Sequence, residues 1–558
     1  MQRFPSFVLH PAAHAVIVAT TLASVPLAAV EVSGSPSRSA TVCSVEATAL
    51  PVSKAPLLAF GNYRGPPASH NVEAQRFFDQ GLVFGWGFNF AEAVRSFRAA
   101  AQLDPKCSLC RWGIAWALGP SINHDMQAAD VPVALDAIVQ ARVAATAGSR
   151  ERALIDALAT RYSARIGADT DRLALSYAAA MAALADQHPD DADIVVLAAE
   201  AMMNAHAYDY WRIDGRPQAW TPQIIGWLDR ALALAPAHPG AHHYRIHLFE
   251  DSPVPERALA SAEQLGALAP IVGHLVHMPS HIFFRVGRYR DAVAANNAAV
   301  KADHEYAAAT GAESDYAIHN LHFLWISALW GGDGDTALHA ADQLATAVAA
   351  APADDVHDGT RQHFLAAPML TQVRLHRWNL APREADAGPY LRGLIQFTQG
   401  MTYAARGDIA AAQAELELLQ RSWPTVRRAD LKIKSINRSS DVLAVARLQL
   451  QSAIATARGA HGDAVRFARA AVAAEDRLER DDPPVWPLPA RHMLGEALLR
   501  TNRAAEARKV FSADLQRYPR NCVALAGLAA AERKQRSSLN ASFDSSAQTS
   551  ARLSHCPE

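Results

Sequence analysis

The sequence predicts an all-α solenoid built from antiparallel helix pairs, and three observations support this fold class. The chain has 558 residues, which is longer than one ordinary domain, but a solenoid can extend by adding repeats. Half of the residues are hydrophobic and only 7% are aromatic, a balance that suits many small-residue helix packings. Small residues also recur at fixed offsets in segments that Gly, Asp or Pro separates. Few strands are therefore expected.

One pattern of small and large residues identifies the repeat. Full copies begin at Phe90, Tyr289 and Ala504, and a partial copy begins at Ile409. The small residues let paired helices approach each other, and a large residue fills the gap between them. The pattern therefore predicts a tetratricopeptide-like α-solenoid. The full copies are Phe90, Ala93, Phe97, Ala100 and Asp104; Tyr289, Ala292, Asn296, Ala299 and Asp303; and Ala504, Ala507, Phe511, Asp514 and Tyr518.

The N-terminus is typical of an export signal. It carries Arg3, an apolar stretch from Ala12 to Val30 and then a Ser-rich segment. The apolar core is short for a membrane span, which needs about 20 residues. We expect cleavage near position 30, with an uncleaved anchor as the alternative. The mature protein is therefore expected to be periplasmic or secreted, without a membrane segment.

The rest of the chain divides by composition and periodicity into five further regions. The C-terminal end is rich in Ser, Asn and Gln, which predicts disorder. After the signal peptide at 1–30, we predict an irregular lead at 31–70, N-terminal helical repeats at 71–222, histidine-rich central repeats at 223–350, further helical repeats at 351–535 and a disordered tail at 536–558.

Charge and motifs exclude several function classes. The net charge of −2 leaves no basic surface for nucleic acid. The chain has no glycine-rich phosphate loop and no G-x-S-x-G nucleophile turn. In an oxidising compartment, Cys107 and Cys110 are expected to form a disulfide. A metal site and free or redox-active thiols are the alternatives for this pair.

The number and spacing of the histidines distinguish this chain from a repeat protein without a recognisable functional site. Nine of the 23 lie between positions 242 and 322. His243 and His247 are four residues apart, and so are His277 and His281, so each pair lies on one face of a helix. The second pair follows the first by 34 residues, which is the tetratricopeptide repeat length. In a solenoid this offset stacks one pair beside the other.

The histidines fall in the first helices of their repeats. Adjacent helix axes lie about 8–10 Å apart, and metal–imidazole bonds are about 2 Å long. Side chains from neighbouring first helices can therefore meet at one ion on the concave face of the solenoid. We predict first helices at 241–250, 273–286 and 316–330, each followed by a second helix, at 253–269, 289–303 and 336–350.

These features predict a metal centre with enough imidazoles for two ions. Abundant imidazole with almost no thiol nearby favours copper, with zinc and iron as alternatives. Glu250 lies one turn beyond His247 and is expected to be a ligand or to orient an imidazole. His242 is expected to point away, into solvent. The predicted histidine ligands are His243, His247, His274, His277, His281, His319 and His322.

Two functions of different classes follow from this site. The first is a copper-dependent oxidoreductase, by analogy with helical dicopper sites that bind O₂. The second is a non-enzymatic scaffold that holds a peptide or protein in the concave groove. Only the first requires His243 and His277 to converge. The residues expected to offer a surface for a peptide, protein or small aromatic substrate are His206, Tyr208, Trp211 and Phe283.

Four motifs within residues 75–425 add a more specific signal. They are Cys107-x-x-Cys110-x-Trp112-Gly113-x-Ala115 with Leu118-Gly119-Pro120, His243-x-x-x-His247-x-x-Glu250, His274-x-x-His277-Met278-Pro279-Ser280-His281-Ile282, and His319-Asn320-Leu321-His322-Phe323-Leu324-Trp325. With them, the chain resembles a family of exported bacterial tetratricopeptide-repeat proteins, most of which have no assigned activity. The resemblance implies the repeat fold and export, and it says less about chemistry.

Overall fold

The computed structural model describes residues 56–165, 167–351, 358–380 and 387–541. They belong to one compact unit in which nearly all regular structure is α-helical. The predicted signal peptide lies outside the described residues. Within the described part of the chain, no helix is both long and apolar enough to cross a membrane.

The first eight helices form the N-terminal repeats, in which consecutive helices pack against each other through short connections. A segment without helix at 206–220 separates the seventh helix from the eighth. The helices are α1 (Val72–Trp86), α2 (Phe90–Leu103), α3 (Ser108–Ala117), α4 (Val131–Ala144), α5 (Arg150–Ala159), α6 (Thr170–Gln187), α7 (Ala192–Ala205) and α8 (Thr221–Leu234).

The central repeats contain the predicted histidine helices. The predicted helix at 273–286 is divided at Met278, immediately before Pro279. Proline has no backbone N–H and therefore cannot donate the hydrogen bond that would continue the helix. The elements are α9 (Pro239–Glu250), α10 (Leu259–Leu268), α11 (Gly273–His277), α12 (Pro279–Arg285), α13 (Tyr289–Thr310), α14 (Ala317–Gly331) and α15 (Gly334–Ala350).

The C-terminal repeats continue the helix pairs and include one two-stranded antiparallel sheet. The last helix passes position 536, where the tail was expected to begin. The elements are α16 (Asp358–Leu365), α17 (Ala367–Arg374), α18 (Pro389–Ala405), α19 (Ile409–Ala429), β1 (Lys432–Ile433), β2 (Asn437–Arg438), α20 (Ser439–Ala457), α21 (His461–Glu475), α22 (Ala490–Arg500), α23 (Ala504–Arg517) and α24 (Cys522–Ala541).

The repeated pattern of the sequence corresponds to a repeated packing arrangement. Phe511 of α23 is buried between Gly495 of α22 and Gly527 of α24, each 16 residues away in sequence. A Cβ on these glycines would lie 2.2 Å and 2.3 Å from the Phe511 ring. Phe97 has the same pattern position and the same environment. Its two glycines are Gly81 and Gly113. The fold class predicted from the sequence is therefore confirmed.

The helix of the first of the four motifs described above begins at a covalent link. Cys107 and Cys110 form a disulfide at the N-terminus of α3, with Cα atoms 5.3 Å apart. Both residues are buried. This bond joins the loop after α2 to the first turn of α3.

Candidate metal centre

The first group of three histidines, here called the first triad, consists of His243 and His247 on α9 and His274 on α11. One ring nitrogen from each lies within 4.8 Å of the others. His243 Nε2 is 3.2 Å from His274 Nε2. Two nitrogens bound side by side to one ion at about 2 Å each lie roughly 3 Å apart. The geometry of this pair therefore fits a shared ion.

The second triad consists of His277 on α11, His281 on α12 and His319 on α14. Its ligand atoms also lie within 4.8 Å of one another. His277 Nε2 is 3.0 Å from His281 Nε2, and the His277 and His319 ring centroids are 4.6 Å apart. His319 is half-buried, whereas His277 and His281 are buried. The second triad thus repeats the arrangement of the first.

The two triads are neighbours. Ring centroids are 5.9 Å apart between His274 and His277 and 6.4 Å apart between His247 and His281. The 34-residue offset therefore does place the His243/His247 pair close to the His277/His281 pair. The sequence predicted enough imidazoles for two ions but did not assign the histidines to each ion. In the structure, α11 contributes one histidine to each triad.

Hydrogen bonds fix the tautomers of the first triad on α9. His243 Nδ1 lies 2.5 Å from the carbonyl oxygen of Trp86, and His247 Nδ1 lies 2.7 Å from Glu250 Oε1. Both partners accept, so each Nδ1 carries the proton and each Nε2 keeps its lone pair. Among the residues that the structure describes, His247 Nε2 is buried without a hydrogen-bond partner. Imidazoles held in this way present Nε2 as the atom that could ligate a metal.

A partner on α13 fixes His277 in the same way. His277 Nδ1 donates to Asn296 Oδ1 at 2.6 Å, while Asn296 Nδ2 donates to the carbonyl of Ala292. Asn296 has the position in its repeat that Phe97 and Phe511 have in theirs. The central repeat therefore carries a polar partner for a histidine where other repeats carry a core phenylalanine.

Burial keeps most of these imidazoles uncharged. It lowers the pKa of four members of the triads well below the usual value: His243, His274, His277 and His319. Burial also acts to lower the pKa of His281, but the carboxylates of Glu250 and Asp482 overcome it and raise that pKa to about 9. Burial acts to raise the pKa of Glu250, yet the adjacent His281 and His247 hold it well below its usual range.

Aromatic rings cover both triads. The Phe88 ring centroid is 4.5 Å from that of His243, and Phe88 has a left-handed backbone with φ of 57°. Such a backbone is costly for a bulky residue and is often associated with function. Phe323 covers the second triad, 4.4 Å from His281. Tyr316 stacks on His274 at 3.9 Å. The centre is therefore largely enclosed, rather than exposed on an open concave groove as predicted.

A carboxylate that no sequence pattern identifies also reaches the centre. Asp482 Oδ2 is 3.4 Å from His281 Nδ1. Asp482 follows α21, and its neighbour Arg480 donates to the carbonyls of Glu250 and Asp251 at 3.0 Å and 3.2 Å. The loop between α21 and α22 thus packs on the centre from a distant part of the sequence.

Two histidine predictions differ from the structure. His322 belongs to neither triad, and its ring contacts Phe364 at 4.6 Å. Three residues correspond to a rotation of about 300° around a helix, so His319 and His322 need not face the same ion. His242 does point away from the triads, but it is buried and not solvated. Its ring nitrogens lie 3.0 Å from Ser261 Oγ and 2.8 Å from the Pro236 carbonyl.

The predicted substrate residues mostly contact other parts of the fold. Tyr208 alone among these four has a ring contact with a triad, 6.3 Å from His247. His206 stacks on Trp220 at 3.7 Å. Trp211 donates to the Leu248 carbonyl at 2.7 Å. The fourth, Phe283, is buried under the Arg288 guanidinium.

Comparisons with known proteins do not identify a relative by sequence. No protein-family model matches the chain, and no curated protein matches it. Three solved structures that it resembles are yeast Tom70, Cut9–Hcn1 from the APC/C and the TPR domain of P58(IPK). Sequence identities are 10%, 12% and 13%, and TM-scores are 0.26, 0.29 and 0.21. Each match covers 84% of this chain, and the matches cover 90%, 77% and 99% of those chains. With scores this low, the fold assignment rests on the helix pairs described above.

Proposed function

We propose that this repeat protein binds two transition-metal ions, one in each triad, and that the pair is a copper centre for O₂-dependent oxidation. The observation that carries the proposal is the convergence of six imidazoles, five of them buried and His319 half-buried, in two adjacent groups of three. The buried, unpartnered Nε2 of His247 supports it, because such an atom needs a partner. A metal ion would supply that partner.

The choice of copper rests on the donor set together with the proposed reaction. Six imidazoles without a thiolate suit Cu(II) or zinc. Two redox-active ions held side by side can act on one small molecule, and this property selects copper where the reaction is an oxidation. Zinc and iron are the alternatives. The aromatic cover favours a small reactant such as O₂ at the ions, with any larger aromatic or peptide substrate held outside the triads.

We further propose that the centre works outside the cytoplasm. The disulfide between Cys107 and Cys110 supports this location, since disulfides persist in oxidising compartments. N-terminal sequencing of the native protein tests the proposal. A mature chain that begins near position 31 supports export with cleavage. A chain that retains Met1 contradicts cleavage, and it contradicts export as well if it is recovered from the cytoplasmic fraction.

The metal content of the purified protein tests the proposed function. After loading with Cu(II) and desalting, we expect close to two copper ions per chain by elemental mass spectrometry. His242→Ala is the matched control, because His242 is buried on the same helix as His243 but bonds to residues outside the triads. The control should keep both ions. A wild-type protein that retains no copper, zinc or iron contradicts the proposal and favours the peptide-binding scaffold.

A further inference from the structure

The Glu250 carboxylate lies between the two triads. Glu250 is the last residue of α9. Its Oε1 lies 2.7 Å from His247 Nδ1, in the first triad. Its Oε2 lies 2.7 Å from His281 Nδ1, in the second triad. One side chain therefore contacts a predicted ligand of each ion.

The backbone of Glu250 is held from two directions. Arg285 of α12 donates to the Glu250 carbonyl, and so does Arg480 from the loop after α21, at 3.0 Å. The Glu250 side chain is only 4% exposed. These contacts fix where the carboxylate can reach, so neither histidine contact depends on a freely moving side chain.

The contacts have a chemical consequence for both sites. At His247 the carboxylate accepts a hydrogen bond from Nδ1, which leaves Nε2 free for the metal and makes the imidazole a better donor, whereas at His281 its contact is an ion pair. Two divalent ions on neutral imidazoles would also place positive charge in a buried region, where charge without a counter-ion is costly. Glu250 is negatively charged and lies beside both triads. It can therefore serve both ions at once.

We propose that Glu250 is a positioning residue shared by the two triads, so that binding of both ions depends on this one carboxylate. The inference rests on the proposed function, and it goes beyond the expectation that Glu250 supports a single imidazole. This shared role would make the effect of losing Glu250 different from the effect of losing any histidine of the triads. Loss of a histidine removes a ligand from one ion, whereas loss of Glu250 weakens the support of both.

Competition titrations of Cu(II) against a chromophoric chelator test this inference. Glu250→Gln keeps the size of the side chain but removes its charge and presents an N–H₂ group to one imidazole. We expect the affinity of both sites to fall by about 10- to 100-fold, as for other lost partners of metal ligands. Glu475→Gln is the control, because Glu475 is a buried carboxylate whose hydrogen-bond partner is the Ala490 amide, not a triad.

Single-site backgrounds show which ion is affected. His243→Ala leaves only the second triad complete, and His319→Ala leaves only the first. Glu250→Gln should weaken the remaining site in both backgrounds. An effect in one background only, or in neither, overturns the inference while the two-ion proposal stands. If the wild-type chain binds no metal, both proposals fall.

Glu250→Asp separates positioning from packing. This variant keeps the charge but withdraws the carboxylate by about one methylene and leaves space behind it. If Glu250 acts through its charge and hydrogen bonds, Asp should retain more metal affinity than Gln. If Glu250 only fills space, the isosteric Gln should retain full affinity and Asp should be the weaker binder, which contradicts the inference. Circular dichroism of each metal-free variant checks that the helices remain.

Discussion

Replacing His277 by Ala is expected to abolish tight binding of the ion in the second triad and to leave the ion in the first triad in place. His277 Nε2 lies within the second triad and its ring is buried. Loss of a ligand should reduce affinity by more than the roughly 10- to 100-fold cost of losing an outer partner. Elemental analysis should therefore find one copper ion per chain instead of two, and any O₂-dependent activity should disappear.

A second variant keeps this test independent of folding. His277→Ala leaves the acceptor Asn296 Oδ1 without its partner, which itself costs about 1–3 kcal/mol. His319 belongs to the same triad but is half-buried, so His319→Ala should disturb the core less. Both variants should lose the same single ion while the circular dichroism spectrum stays helical. Two retained ions in either variant would contradict the assignment of the second triad.

Replacing Phe511 by Ala is expected to destabilise the last repeats by about 3–5 kcal/mol, the usual cost of removing a buried aromatic ring. The ring fills the space between Gly495 and Gly527, and neither glycine has a side chain that could fill the cavity. A solenoid repeat contacts mainly its neighbours. Hydrogen exchange should therefore become faster in α22–α24, while copper binding in the central repeats remains unchanged.

The partly buried Phe467 on α21 offers a matched control for this change. Its ring lies under the Arg466 guanidinium. Phe467→Ala should lower the free energy of unfolding clearly less than Phe511→Ala, because removing a partly exposed ring loses less buried surface. If both variants lost the same amount of protection from hydrogen exchange, the packing of Phe511 between two glycines would not stabilise the repeat more than a partly exposed ring does, which would contradict the prediction.

Sequence periodicity was sufficient to predict the fold and most of the centre. The common offsets of Phe97 and Phe511 correspond to one packing arrangement, and the four-residue spacing of His243 and His247 places both in one triad. These features depend on helical geometry and repeat length, which are local properties of the chain. The predicted metal and activity depend on the site's chemistry and remain proposals.

Other parts of the centre depend on contacts that periodicity does not encode. The Trp86 carbonyl that supports His243 and the Asp482 carboxylate beside His281 come from distant segments. No spacing rule relates such residues to the histidines. Asn296 is different, because a polar residue at the pattern position of Phe97 is visible in the sequence. That replacement could have identified the partner of His277.

The most direct test of the two-ion centre is the position of the metal itself. Crystals of the copper-loaded protein, measured on both sides of the copper absorption edge, should show two anomalous peaks per chain. One peak should lie among the Nε2 atoms of His243, His247 and His274, and the other among those of His277, His281 and His319. Copper bound only elsewhere, or triads without a peak in fully loaded protein, would contradict the account.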